Sequence, residues 1–178
     1  MIRRFAACIL TAAAVLATVA NVAYAGAQTA APQNAPTQKG TSMPAHATGP
    51  FDVKVIPLPP EDKVGDPSIG RMSIDKQFHG DLEGSSKGQM LTAMSDVKGS
   101  AGYVAIERVN ATIHTPNGPR TGTFALQHTG IMTRGTPQLT ISVVPDSGTG
   151  QLNGITGTMN INIADGKHSY DFEYTLLN

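Results

Sequence analysis

From Phe51 to Leu176, apolar and polar residues alternate in short runs that Gly, Pro and Asn interrupt, and no segment sustains a helical period. Period-two alternation puts successive side chains on opposite faces of an extended chain, so the pattern predicts an antiparallel all-β fold. Strands are expected over residues 51–55, 71–79, 81–94, 103–114, 120–133, 138–144, 151–163 and 167–176. The connections carry turn chemistry. Asn117-Gly118 and Asp165-Gly166 tolerate positive φ, and Asp146-Ser147-Gly148-Thr149-Gly150 forms a further turn cluster. Residues 57–69, with four prolines, read as a long loop after the first strand. Eight strands in about 128 residues suit a single up-and-down barrel, because closure removes exposed strand edges; a two-sheet sandwich is the alternative.

Alternation also assigns faces. Met72, Ile74 and Phe78 form one i, i+2 row, as do Phe124, Leu126 and Met132, then Leu139, Ile141 and Val143. Met159, Ile161 and Ile163 form another, and Tyr170, Phe172, Tyr174 and Leu176 the last. These rows should share one interior, while Ser73, Asp75, Asn160, Asn162, Asp171 and Glu173 face water. Five methionines, Met72, Met90, Met94, Met132 and Met159, fall in or near strands and suit an adaptable apolar lining or an irregular core equally.

The region before the strands differs. Arg3 and Arg4 precede an apolar stretch from Ala6 to Val19, and Ala23-Tyr24-Ala25 is an A-x-A cleavage pattern, so residues 1–25 read as a secretory signal peptide. Residues 26–49, rich in Ala, Pro, Thr and Gln, read as a flexible tether in which His46 is solvated, and residues 50–178 as the barrel domain. The expected location is periplasmic or secreted. Cys8, the sole cysteine, leaves with the signal, so the exported domain has no disulfide.

Charge narrows the partners. The full chain has 13 Lys and Arg against 13 Asp and Glu, and losing Arg3 and Arg4 leaves 11 basic residues. There is no basic footprint for nucleic acid and no membrane span is expected in the mature chain. No cofactor is expected, since none of the glycines forms a phosphate loop or dinucleotide fingerprint. A G-x-S-x-G nucleophile elbow is absent, and Asp146-Ser147-Gly148-Thr149 matches a short aspartic-peptidase pattern but lacks a second copy in the chain.

Five segments taken together resemble a known family: GRMSIDKQFHGDLEG (70–84), GSAGYVAIER (99–108), LQH (126–128), VVPDSGTG (143–150) and DGKH (165–168). In order and without a missing block, they are similar to the bacterial domain-of-unknown-function family 3224 over about residues 49–177. The resemblance implies an eight-stranded antiparallel barrel similar to allene oxide cyclase, a plant enzyme that cyclises a fatty-acid epoxide. It does not imply that activity. The leader and tether depart from the family pattern and suggest an exported version.

Ionisable residues in apolar rows are the candidate chemistry. Lys76 falls between Ile74 and Phe78, and His128 between Leu126 and Met132, so both point inward. A buried ammonium costs several kcal/mol unless paired. Glu107 is the natural partner, sharing a row with Tyr103 and Ala105, while Arg108 lies in the opposite row with Val104 and Ile106; whichever row turns inward brings one charge with it. The candidate site is therefore Lys76, Tyr103, Glu107, Arg108, Gln127 and His128, holding a small apolar or amphipathic ligand in the barrel interior or mouth. The competing expectation is a structural ion pair in a filled barrel, or a Lys76 that snorkels to the rim. An isomerase using Glu107 or His128 as proton carrier, and a homo-oligomer built on the outer wall, are the other readings. His79, Asp81 and Glu83 alternate on one face, but on a flat strand they are too far apart to share a metal, and a solvated face is expected.

Overall fold

The computed structural model describes residues 44–59 and 66–176. Eight strands follow one another: β1 (Ala45–Leu58), β2 (Ile69–Phe78), β3 (Leu82–Met94), β4 (Ala101–Thr115), β5 (Gly118–Thr133), β6 (Thr136–Val143), β7 (Thr156–Ala164) and β8 (Lys167–Thr175). Each pairs antiparallel with the next, and β8 returns to β1, closing one sheet into an up-and-down barrel rather than a sandwich. The β5–β6 and β7–β8 hairpins turn on Arg134-Gly135 and Asp165-Gly166, all four residues with positive φ, as tight two-residue turns require. The expected leader and residues 26–43 of the expected tether lie outside the described residues.

The loop expected over residues 57–69 is shortened at both ends, because Pro57 and Leu58 continue β1 opposite Met72 and Arg71, and Ile69 opens β2. Two strand starts differ from the sequence expectation by five residues or more. β1 begins at Ala45 rather than Phe51, because Ala45, Ala47 and Gly49 lie opposite Tyr174, Phe172 and Tyr170 of β8. Small residues there leave room for large rings, and their linker-like composition concealed the strand. His46 accordingly sits on this strand, still exposed, with Nδ1 2.8 Å from the Asp171 carboxylate; that hydrogen bond raises its pKa. β7 begins at Thr156 rather than residue 151, because residues 144–155 leave the sheet through a short 3₁₀ turn at Gly150–Leu152. This segment lines the start of β5 instead: the Val144 N–H donates to the Ala125 carbonyl at 2.9 Å, and the Thr149 N–H to the Thr123 carbonyl at 2.8 Å.

The same segment makes the two barrel ends unequal. Leu152 and Ile155 turn inward, fully buried, and plug one end against Leu82, Ile113, Phe124 and Phe172. Phe124 and Phe172 stack at 5.6 Å there. At the other end, inward positions Val55, Met132, Leu139 and Ile163 are left 42, 42, 40 and 63% exposed. β6 and β7 share a single ladder pair, Ser142 with Thr158, so the wall is thinnest beside this open end.

Tyr170 fastens the sealed end. Its hydroxyl accepts the Leu82 N–H at 2.8 Å and lies 2.9 Å from the His79 carbonyl, to which it can donate. Burial pushes its pKa up to about 12. The turn it holds carries Gly80 at φ 94°, where a Cβ would meet the Thr48 carbonyl at 2.7 Å.

Two outcomes follow from this architecture. Tyr170→Phe leaves a buried N–H and carbonyl short of a partner, so calorimetry should show a loss of about 1–3 kcal/mol. Hydrogen exchange should be faster along the facing edges of β6 and β7 than in the β3–β4 ladder, since amides without a ladder partner open most readily.

Candidate functional site

Four adjacent strands each deliver one polar side chain to the interior: Lys76 from β2, Ser86 from β3, Glu107 from β4 and His128 from β5. Glu107 is 0% exposed, Lys76 5% and His128 3%. Glu107 Oε1 accepts from Lys76 Nζ at 2.7 Å and from His128 Nε2 at 2.8 Å, and Oε2 accepts from Ser86 Oγ at 2.6 Å. Every bond to the carboxylate thus comes from a different strand. Gly88, opposite Glu107, makes this possible, because a Cβ there would stand 2.6 Å from the Glu107 Cβ.

The charge is compensated locally. Burial alone would push the Glu107 carboxyl up, but the His128 hydrogen bond and the Lys76 charge outweigh it and hold the pKa down at about 2. The Lys76 ammonium lies 5.4 Å from the Phe51 ring centre and 5.8 Å from that of Phe78, so it faces the sealed half of the barrel. On the other side of Glu107, Tyr103 lies half-buried across Gly130, its opposite in the β4–β5 ladder, and a Cβ at Gly130 would overlap the ring. Burial, then the charge of Glu107, raises the Tyr103 pKa.

Of the six sequence candidates, Lys76, Tyr103, Glu107 and His128 come together inside the barrel. Arg108 does not, because it alternates with Glu107; it points outward and donates to the Ser147 carbonyl at 2.9 Å. Gln127, next to His128, is outward for the same reason and borders an open groove of about 440 Å³ on the outer wall with Gln89, Leu91, Val104, Ala105 and Ile106. Ser86 and Gly88 went unnoticed in the sequence. Their signal is the row Gly84, Ser86, Gly88, whose small residues face the long side chains of neighbouring strands. Asp81 is occupied by the Thr48 N–H and hydroxyl, and Glu83 lies 3.5 Å from His79, all near the outer surface.

Comparison with known proteins places this arrangement. The model of the family described as "Protein of unknown function (DUF3224)" matches residues 47–174. The chain belongs to the DUF3224 family. A solved DUF3224 protein of unknown function from Shewanella oneidensis MR-1 is 47% identical, over 76% of this chain and 99% of that one, with a TM-score of 0.67. No curated protein matches. The DUF3224 segment contains the whole cluster of Lys76, Ser86, Glu107 and His128, together with Tyr103.

The cluster predicts a definite acid response. A carboxylate with a folded pKa of about 2, against 4.5 ordinarily, stabilises the fold fully above pH 4.5 and loses that contribution as pH falls through 2. The difference corresponds to about 3 kcal/mol. Denaturation of the native protein and Glu107→Gln should therefore give stability curves that converge between those two pH values. Near neutrality, Glu107→Gln should be less stable by about 3–5 kcal/mol, because Lys76 stays buried without its counter-charge. Adding Lys76→Met should recover most of that loss.

Proposed function

We propose that the protein is an exported, noncatalytic binding module that takes a small apolar or amphipathic molecule into the open end of its barrel. The observation that carries this reading is the asymmetry of the interior. One half is packed with aromatic and aliphatic side chains, whereas Val55, Met132, Leu139 and Ile163 line the other half and remain 40–63% exposed above a buried polar cluster. An apolar wall with a few placed polar groups is the usual make-up of a small-molecule site. Export rests on the leader-like residues 1–25.

The state of Glu107 favours binding over the isomerase reading. A carboxylate held near 2 and already accepting three hydrogen bonds is poorly matched to carrying a proton near neutrality. A second reading has one specific support: Leu91, Val104, Ile106 and Ile131 stand about half exposed on the outer wall, an apolar patch suited to association with another copy.

The apolar fluorophore N-phenylnaphthylamine separates the two. Its emission should rise on mixing and saturate at one molecule per barrel, and Leu139→Asp should abolish the rise while leaving the melting temperature nearly unchanged. No rise, or a rise that survives Leu139→Asp and disappears in Leu91→Asp, overturns the open-end site in favour of the outer wall.

A further inference from the structure

The outer face of β3, β4 and β5 holds a second surface. Between Lys87 and Arg108 on one side and the β3–β4 hairpin on the other, the outward positions carry no charge, and Leu91, Val104, Ile106 and Ile131 stand about half exposed. Within it, Gly102 calls for a reason. A glycine inside a strand weakens the strand and marks a bulge, a bend or a close approach by another chain. The ladders run through Gly102 to Ala93 and Ile131 without a bulge, its φ is not positive, and the atom nearest to an added Cβ is the Gly130 carbonyl oxygen at 3.8 Å. The barrel itself therefore leaves room for a side chain there.

The notch at Gly102 has a counterpart on the same face. Gly102 and Ala93, paired with each other, lie two residues to the open-end side of Val104 and Leu91, while Ile106 and Gln89, also paired, lie two residues to the other side. A half-turn about an axis through Val104, in the plane of contact and perpendicular to the strands, exchanges these two rows. It sets Ile106 of each copy over the notch of the other, with Val104 against Val104 at the centre. A two-fold contact needs a surface complementary to itself, and bulky against small at equal distance from one point meets that need. The other two-fold that keeps the strands aligned runs along them. It stacks Ile106 on Ile106 and Arg108 on Arg108, which leaves the notch empty and opposes like charges. The perpendicular axis instead brings Lys87 opposite Ser95, next to Asp96 of the second copy.

We infer that the chain forms a symmetric dimer through these outer walls, with β4 antiparallel to β4 of a second copy and Ile106 seated over Gly102. The inference gives the outer-wall association a geometry and does not depend on the open-end site. Three strands about 5 Å apart, with outward positions about 7 Å apart, make a footprint at the low end of specific interfaces. The dimer should accordingly form at micromolar rather than nanomolar concentration.

Analytical ultracentrifugation of the full chain from about 1 to 500 μM should show a monomer–dimer equilibrium. Gly102→Thr fills the notch with a residue that favours strands, so it should weaken dimerisation by about tenfold or more without lowering the melting temperature. Aligned sheets pack about 10 Å apart, a gap that bis(maleimido)ethane bridges between two cysteines. With Cys8, the sole cysteine, replaced by Ser, Val104→Cys should cross-link to its own copy. Arg108→Cys should not, since the perpendicular axis puts it roughly 26 Å along the strands from its copy. A monomer throughout the concentration range overturns the dimer. Dimerisation that Gly102→Thr leaves unchanged overturns the seat of Ile106, as does a loss of stability in that variant, which would return the glycine to the needs of the barrel itself. Cross-linking of Arg108→Cys as readily as Val104→Cys overturns the antiparallel arrangement.

Discussion

One buried carboxylate constrains the middle of this barrel. Glu107 is fully removed from water, and an ion there is tolerable only if its oxygens are occupied and its charge is balanced. Meeting that demand takes Lys76, Ser86 and His128 from three further strands, all at one level of the interior. Gly88 must stay small for the carboxylate to fit. The register of β2, β3, β4 and β5 is thereby pinned, because a slip of one residue would send Lys76 or His128 outside and strand the charge. The cluster specifies register as much as it contributes stability.

Above and below that level the two halves of the interior have different tasks. The sealed half is a hydrophobic core of the ordinary kind, with stacked rings from β5 and β8, the plug of Leu152 and Ile155, and the Tyr170 hydroxyl tying the β2–β3 turn to β1. It supplies most of the buried apolar surface. The open half is relieved of that duty, and its apolar residues remain half exposed where β6 and β7 part. With Cys8 the sole cysteine, no internal disulfide staples the strands, and the closely packed half carries the fold while the other keeps apolar side chains half exposed.

Much of this was legible in the sequence, for identifiable reasons. Alternation gave the strands and the inward rows, since a barrel wall with one wet face imposes period two on every strand. The pairing of Lys76 with Glu107 followed from the cost of an unpaired buried ammonium. What escaped was encoded in small residues. Ala45, Ala47 and Gly49 look like linker until the rings of Tyr174, Phe172 and Tyr170 stand opposite them, and Gly88 looks like an interruption until Glu107 does. The placing of Arg108 required knowing which row of β4 turns inward, and local pattern left that choice open at Glu107 and Arg108, whereas the outward side of Gln127 follows from the alternation that points His128 inward. The plug went unseen because Ile155 falls in the odd-numbered row of Met159, Ile161 and Ile163 and so extends β7 on paper, whereas Asp146 and Gly150 take positive φ values that keep the chain before it out of the sheet.

The plug has a kinetic corollary. With Leu152 and Ile155 buried across one end, a molecule held as proposed would have to leave past the rim by which it entered. Entry and exit then share one barrier, set by the same few side chains at the rim and by the loosely joined edge between β6 and β7. Residence time in such a vessel is tuned at its lip, independently of how firmly its base is packed.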